Sequence, residues 1–269
     1  MKRATMTNVD SDLSKSGMLP FLPDSCKLQL HKKVESTNTL AKELADSGAA
    51  HGLVIIAEEQ WAGRGRQGRS FYSPPGHGIY MSLVLKPEKL GFNTAAFITV
   101  YTAVVVCEAI EFLCGKSPQI KWINDLFLKG KKFCGILAEA VSDIETGAIN
   151  RIVVGIGINF TLSKLPKELE AIVGAIYDEG SAPVSRNRLA AEIISRMLAS
   201  PRSQEEILEQ YRRRLFILGK EVLIESAGQA YEAIALDVNE MGHLLIKNMS
   251  GELESLSSGE VSVRLRSKD

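Results

Sequence analysis

The chain lacks net charge. Lys and Arg number 32, Asp and Glu also 32, so the formal charge at pH 7 is zero. Without an excess of either sign there is no bulk field to hold nucleic acid or a membrane surface, and any anion site must be local. Aromatics are scarce, at 6%, too few for a stacking surface along single-stranded nucleic acid. The four cysteines, Cys26, Cys107, Cys114 and Cys134, form no CxxC pair, and none of His31, His51, His77 and His243 stands at zinc spacing to one. That argues against a disulfide framework or zinc module and fits free thiols in a reducing, cytoplasmic compartment. No signal-peptide h-region opens the sequence. The longest apolar run, about Ala95 to Cys114, contains Tyr101, Glu108 and Glu111, and so reads as a buried core helix rather than a membrane span. The 269 residues, 45% hydrophobic and 24% charged, suffice for one large soluble domain and a small one.

Against this neutral background one stretch is strongly basic. Gly63-Arg64-Gly65-Arg66-Gln67-Gly68-Arg69 packs three arginines and three glycines into seven residues. The apolar run Leu53-Val54-Ile55-Ile56-Ala57 before it reads as a strand, and Ser73-Pro74-Pro75-Gly76 after it cannot continue as a helix. A basic, mobile loop hung from a sheet is expected. Glycine lets backbone approach a ligand, and arginine forks pair with phosphate or carboxylate. The run also fits G-x-G-x-x-G, but that fingerprint needs a helix starting at the loop, which the prolines forbid. Gly115-Lys116-Ser117 mimics the end of a P-loop, yet Ile110 stands where that loop needs glycine.

The remaining pattern predicts a polar leader over 1–27. Strands are expected from Leu28 to Val34, Leu53 to Glu59 and Ile79 to Lys86, with a short helix from Leu40 to Ser47 capped by Ser36-Thr37-Asn38. A long helix from Thr94 to Leu113 precedes strands at Ile120 to Trp122, Phe133 to Val141 and Ile152 to Phe160. Amphipathic helices follow at Arg188 to Leu198 and Gln204 to Leu215. This is an α+β arrangement, a mixed sheet with helices on one face. From Lys220 on, short strands and Gly turns predict a small β-barrel, giving a large domain over 28–216 and a β-domain over 217–269.

Two further blocks stand at strand ends. One is Lys121-Trp122-Ile123-Asn124-Asp125, followed by Lys132 and Gly135-Ile136-Leu137; the other is Gly155-Ile156-Gly157-Ile158-Asn159. Taken alone, Asn124-Asp125 is either a plain turn or a ligand site. Lys132 is either a solvated turn lysine or a working cation. Gly155 and Gly157 mark a bulge, tight packing or close approach of a ligand.

Taken together, the blocks closely resemble the biotin protein ligases (biotin–acetyl-CoA-carboxylase ligases). That family is known by a GRGRxGR loop, a KWPND block followed by lysine and GIL, and a GxGxN strand. Ser36-Thr37-Asn38 matches the family's STN, Gln60 its glutamine before the loop, and Gly259 to Arg264 its C-terminal signature. The resemblance covers about residues 28 to 266. It implies a catalytic domain like that of class II aminoacyl-tRNA synthetases, followed by an SH3-like β-barrel. It implies ATP and biotin as ligands, with Mg²⁺ bridging phosphates. In the implied reaction biotin's carboxylate attacks the α-phosphate of ATP, and a carrier-protein lysine then takes the biotinyl group from biotinyl-AMP. Arg64, Arg66, Arg69 and Lys132 would meet the phosphoryl charge, with Arg66 and Lys132 as catalytic residues. Ser36, Thr37 and Gln60 would contact biotin, between walls at Gly135 and Gly155, with Asn38 and Gly63 also among the ligand-binding residues. Phe71 would cover adenine, while Lys121, Asn124 and Asn159 would lie near the nucleotide. Asp125 would either hold Lys132 or orient Mg²⁺, and Arg264 would reach the site from the β-domain. The partner would be a biotin carboxyl carrier protein, and edge-to-edge dimers in the family imply that a homodimer is possible.

Three residues depart from the pattern: Ile123 in place of proline, Phe71 in place of tryptophan and Gly78 in place of asparagine. Trp61 stands where smaller residues are typical. Some relatives carry an N-terminal winged helix-turn-helix; about 27 polar residues before the first strand predict a monofunctional chain without operator binding. Rival readings are a lipoate–protein ligase or octanoyltransferase, a non-catalytic biotin-binding protein, and a nucleic-acid module resting only on the arginines.

Overall fold

Leu13 and Met18 give the N-terminal segment an apolar anchor. In the computed structural model, which describes residues 13–90, 94–142, 149–162, 165–199, 202–226, 229–257 and 261–265, both side chains are buried. Ser14 caps a one-turn helix, α1 (Lys15–Met18), its hydroxyl accepting from the Gly17 amide. The Leu13 amide donates to the Glu58 carboxylate at 3.2 Å and the Ser14 amide to Asn187 at 2.9 Å. The expectation of a flexible leader is therefore amended from residue 13 onward. Burial of two large apolar side chains outweighs the Ser/Asp/Pro composition.

The large sheet is built from β1 (Lys27–Val34), β2 (Leu53–Gln60), β3 (Gly78–Leu85), β4 (Gln119–Lys121), β5 (Asp125–Leu128), β6 (Lys131–Ser142) and β7 (Ile149–Asn159). Its order is β1-β2-β3-β7-β6-β5-β4. Only β1 and β2 run parallel; the other pairs are antiparallel. Strand side chains alternate between faces. On one face Val54, Ile56, Met81, Leu83, Val154 and Ile156 join the main core. On the other, Leu53, Ile55, Val84, Val141 and Val153 form a second cluster with Ala41 and Ala45.

Helices α2 (Thr37–Asp46), α4 (Ala95–Cys114), α6 (Arg186–Met197) and α7 (Gln204–Arg214) cover the two faces, with one-turn helices α3 (Pro87–Leu90) and α5 (Lys167–Glu170) between them. The expected helical layer on one face consists of α4, α6 and α7. One amendment is needed: α2 packs on the opposite face, because Ala41 and Ala45 lie one turn apart on its inner side. Helix α4 is long and apolar enough to cross a membrane, yet every residue from Phe97 to Cys107 is buried in the protein. It is the core helix its sequence predicts.

The last strands, β8 (Glu221–Ser226), β9 (Gln229–Val238), β10 (Leu244–Asn248), β11 (Leu253–Leu256) and β12 (Val261–Leu265), form an antiparallel five-stranded sheet in the order β11-β10-β9-β8-β12. Their buried Val222, Ile224, Ala233, Ala235 and Ile246 are continuous with the core around α4 and α7. Trp122 Nε1 donates to the Gly242 carbonyl at 3.0 Å, and Arg212 pairs with Asp237 at 2.7 Å. Strands β5 and β11, four residues each, are additions to the expected elements.

Candidate active site

The second face of the large sheet is covered only in part by α2. Beyond the N-terminus of α2, the remaining part is roofed by the arginine stretch. Read from sequence as a mobile loop, that stretch is a closed hairpin. Gly65 N donates to Arg69 O at 2.7 Å, Arg69 N to Arg66 O at 3.1 Å and Phe71 N to Gly63 O at 2.8 Å. Gln67, with φ 54°, and Gly68, with φ 72°, make its tip. No helix follows, so the dinucleotide fingerprint is absent in geometry as well as in logic.

Beneath the hairpin lies a cavity lined by Ser36, Thr37, Asn38, Gln60, Arg64, Arg66, Arg69, Phe71, Lys121, Asn124, Asp125, Lys132, Gly135 and Gly155, together with Trp122, Leu137 and Gly157. A second, more apolar cavity adjoins it. Arg69, Ser70, Phe71, Lys121, Asp125 and Lys132 form the shared wall, and Tyr72, Phe127, Asn159, Leu165, Leu169 and Val173 complete the second space. Asn159 and Asn124 are thus separated: Asn159 lines only the second cavity, where its amide donates to Gly174 O at 3.1 Å.

Glycines make the floor. A Cβ on Gly157 would come within 2.8 Å of the Phe71 ring, and one on Gly155 within 2.3 Å of Asn38 Oδ1. Both glycines lie in regular register with β3 and β6, so close side-chain approach explains them and a bulge does not. Gly63 lines neither cavity; a Cβ there would lie 2.4 Å from Phe71 O, so it permits the hairpin to close. Gly78 has the same logic: a Cβ would sit 2.2 Å from the Tyr80 ring. Tyr80 in turn meets Phe71 edge to face, with centroids 6.3 Å apart. An asparagine at 78 cannot coexist with this Tyr80 placement.

Polar groups are pre-oriented by a continuous network. Gln60 Oε1 accepts from the Thr37 amide at 2.8 Å and hydroxyl at 3.1 Å, while its Nε2 donates to Ser73 Oγ at 2.9 Å. Buried Ser82 Oγ lies 2.8 Å from both Thr37 Oγ1 and Asn38 Oδ1. Asn38 Nδ2 donates to Glu139 at 2.7 Å. Sequence reasoning missed Ser73, Ser82 and Glu139; Ser82 and Glu139 are polar residues inside otherwise apolar strands, while Ser73 stands in the loop before Pro74 and carried no such signal.

Arg69, Lys121 and Lys132 lie on the shared wall, and Arg64 and Arg66 line the first cavity alone. Lys132 Nζ is 2.6 Å from Asp125, which favours the first of the two roles weighed for that carboxylate. Arg66 donates to Asn124 Oδ1 at 3.1 Å. Asn124 grips β6 by accepting from Ile136 N and donating to Ile136 O. Burial lowers the Arg66 pKa from its ordinary value, with Asp125 opposing; the guanidinium stays charged at neutral pH. Ile123, in place of proline, is buried and its carbonyl accepts from Tyr211 at 2.9 Å. Trp61 is exposed. Arg264 lies on β12 opposite Leu223; its side chain is outside the described residues, as are Gly259 and Glu260.

Known proteins resemble this chain in sequence and fold. The Biotin/lipoate A/B protein ligase family matches residues 30–159, and the Biotin protein ligase C terminal domain matches residues 217–264. The chain belongs to the biotin protein ligase family. A Mycobacterium tuberculosis Biotin--[acetyl-CoA-carboxylase] ligase is 29% identical over 249 residues, 89% of this chain and 90% of that protein. The Bacillus subtilis Bifunctional ligase/repressor BirA is 34% identical over 166 residues, 61% of this chain; the match spans about half, 50%, of that relative's length. The structure of a biotin protein ligase from Aquifex aeolicus in complex with biotin and ATP is 26% identical, with a TM-score of 0.76. It covers 89% of this chain and 99% of that one.

Proposed function

We propose that this biotin ligase family member is an ATP-dependent biotin–protein ligase acting on a biotin carboxyl carrier protein. In the first step a biotin carboxylate oxygen bonds to the α-phosphorus of ATP, the bond to pyrophosphate breaks, and biotinyl-5′-AMP forms. In the second, a carrier lysine amine attacks the biotinyl carbonyl, AMP leaves, and the amine's proton is lost to solvent or base. The observation that carries the reading is the shared wall, where Arg69, Lys121 and Lys132 stand between two adjoining cavities.

Both reactants of the first step are anions. In this reading Arg64, Arg66, Arg69 and Lys132 offset their repulsion and stabilise charge developing on the phosphoryl oxygens. Biotin, a bicyclic urea on an apolar tail, suits the cavity with the Thr37–Gln60 network; a few placed polar groups and apolar walls fix such a ligand. The nucleotide base suits the second cavity, beside Phe71 and Tyr72. The hairpin over the first cavity excludes water from an anhydride that would hydrolyse. Mg²⁺ is proposed to arrive on the phosphates. Among the described residues no three metal-ligating side chains converge, and Asp125 is paired with Lys132, so phosphate and water would supply most of its ligands.

The test is incubation of the full chain with a carrier domain, ATP and labelled biotin, with lipoate in a parallel arm. Biotin transfer that requires ATP and releases pyrophosphate is expected. Lipoate transfer alone, or binding without pyrophosphate release, would overturn the reading.

A further inference from the structure

Glu139 belongs to no part of the proposed chemistry, yet three elements of the site meet on it. On β6 the alternate positions Gly135, Leu137 and Glu139 fall on one face. The first two line the cavity and Glu139 stands at its rim. Its carboxylate accepts from Asn38 Nδ2 at 2.7 Å and Lys42 Nζ at 3.1 Å, both on α2. It also accepts from Arg64 of the hairpin, at 3.3 Å. Glu139 is only 17% exposed, whereas Arg64 is 44% exposed, so the anion is the fixed member of the pair. Asn38, held by Glu139 on one side and Ser82 on the other, is fixed in its amide orientation. The Glu139–Arg64 contact is an ion pair between the arginine hairpin and the sheet.

We propose that Glu139 is a positioning residue that latches the arginine hairpin shut: its carboxylate holds Arg64 against β6 and α2, and so keeps the activated biotinyl group from escaping or hydrolysing. The proposal rests on the biotin ligase reading. It differs from the role of Arg66 and Lys132, which face the reacting groups themselves. A latch acts on retention, so its loss should raise the release rate of the acyl-adenylate more than it slows the formation of that species.

The experiment forms biotinyl-AMP on the full-length protein from ATP and labelled biotin, then follows release by filter binding after a chase with unlabelled biotin. Glu139→Gln keeps size and a hydrogen-bond acceptor for Asn38 while removing the charge. It is expected to speed release about fivefold, the scale of one partly exposed ion pair, with a smaller change in pyrophosphate production. Arg64→Ala should speed release at least as much. The double variant should match Arg64→Ala alone, because both substitutions break one contact. Release unchanged in Glu139→Gln, or effects of the two substitutions that simply add, would overturn the latch. Melting temperatures separate this from instability: a structural role alone would lower the melting point without the non-additive release rates. If the wild-type protein makes no biotinyl-AMP, the biotin ligase reading fails, and the latch proposal falls with it.

Discussion

Arg66 combines burial, a hydrogen bond to Asn124 and the neighbouring charge of Asp125. Charge-assisted hydrogen bonds contribute roughly 1.5–3 kcal/mol each. Arg66→Ala is therefore expected to slow adenylate formation about tenfold or more, measured by pyrophosphate exchange. Gly157→Ala should act through Phe71, whose ring would have to leave the floor. Overpacking of this kind costs roughly 1–3 kcal/mol, and calorimetric titration should show weaker ATP binding. Glu139 titrates with a defined sign. Burial pushes its carboxyl up, but hydrogen bonds from Asn38 and Lys42 and the charges of Lys42 and Arg64 outweigh that and leave it below the ordinary range. The stabilisation is thus fully present above about pH 4.3 and is lost as pH falls through the depressed value. Glu139→Gln should flatten the acid limb of stability against pH, followed by melting temperature. At this scale the arginine run stood out because charge and glycine contrast with the apolar strands around it, whereas Lys132 and Asn124 were open between turn and site until the family resemblance singled them out. Glu139 and Ser82 were not legible, since their importance comes from partners 101 and 44 residues away.

Among the elements, the parts of the molecule joined at Glu58 depend on one another. Its carboxylate accepts from the Leu13 amide ahead of α1, from Gly76 after the hairpin, and from Arg186 of α6 at 2.7 Å. Arg186 is 5% exposed and also donates to Gly78 O. Removing one partner of a buried pair costs roughly 3–5 kcal/mol, because the other charge stays buried. Arg186→Leu should lose about 3 kcal/mol or more on that basis, read from urea unfolding. The long helix and long strands were legible from apolar periodicity and from caps such as Thr94, which accepts from the Phe97 amide. The helix after Ser36 starts at Thr37 rather than Leu40 because the cap, and not the first apolar residue, sets the first turn. Strands β5 and β11 escaped notice because four residues carry too little pattern. The placement of α2 on the second sheet face was hidden because periodicity tells which side of a helix is buried, not which layer buries it.

Across the whole molecule, the change from helices to short strands after Lys220 marked the small β-domain, and its size implied packing against the large sheet; that it joins the core beside α4 and α7 was not legible. Truncation at residue 216 should therefore expose the flank of α4 and α7, and the remainder should aggregate or lose its near-ultraviolet circular dichroism. The full chain should unfold in a single calorimetric transition. A folded, active truncation would refute this. The shared core has a bearing on ancestry as well. A crossover near residue 216 separates two topologies but cuts through packed side chains. Exchange of β8 to β12 between relatives would succeed only when the facing residues of α4 and α7 travel with them. The small domain and that helical layer are therefore expected to change together among relatives, more closely than either does with the arginine hairpin.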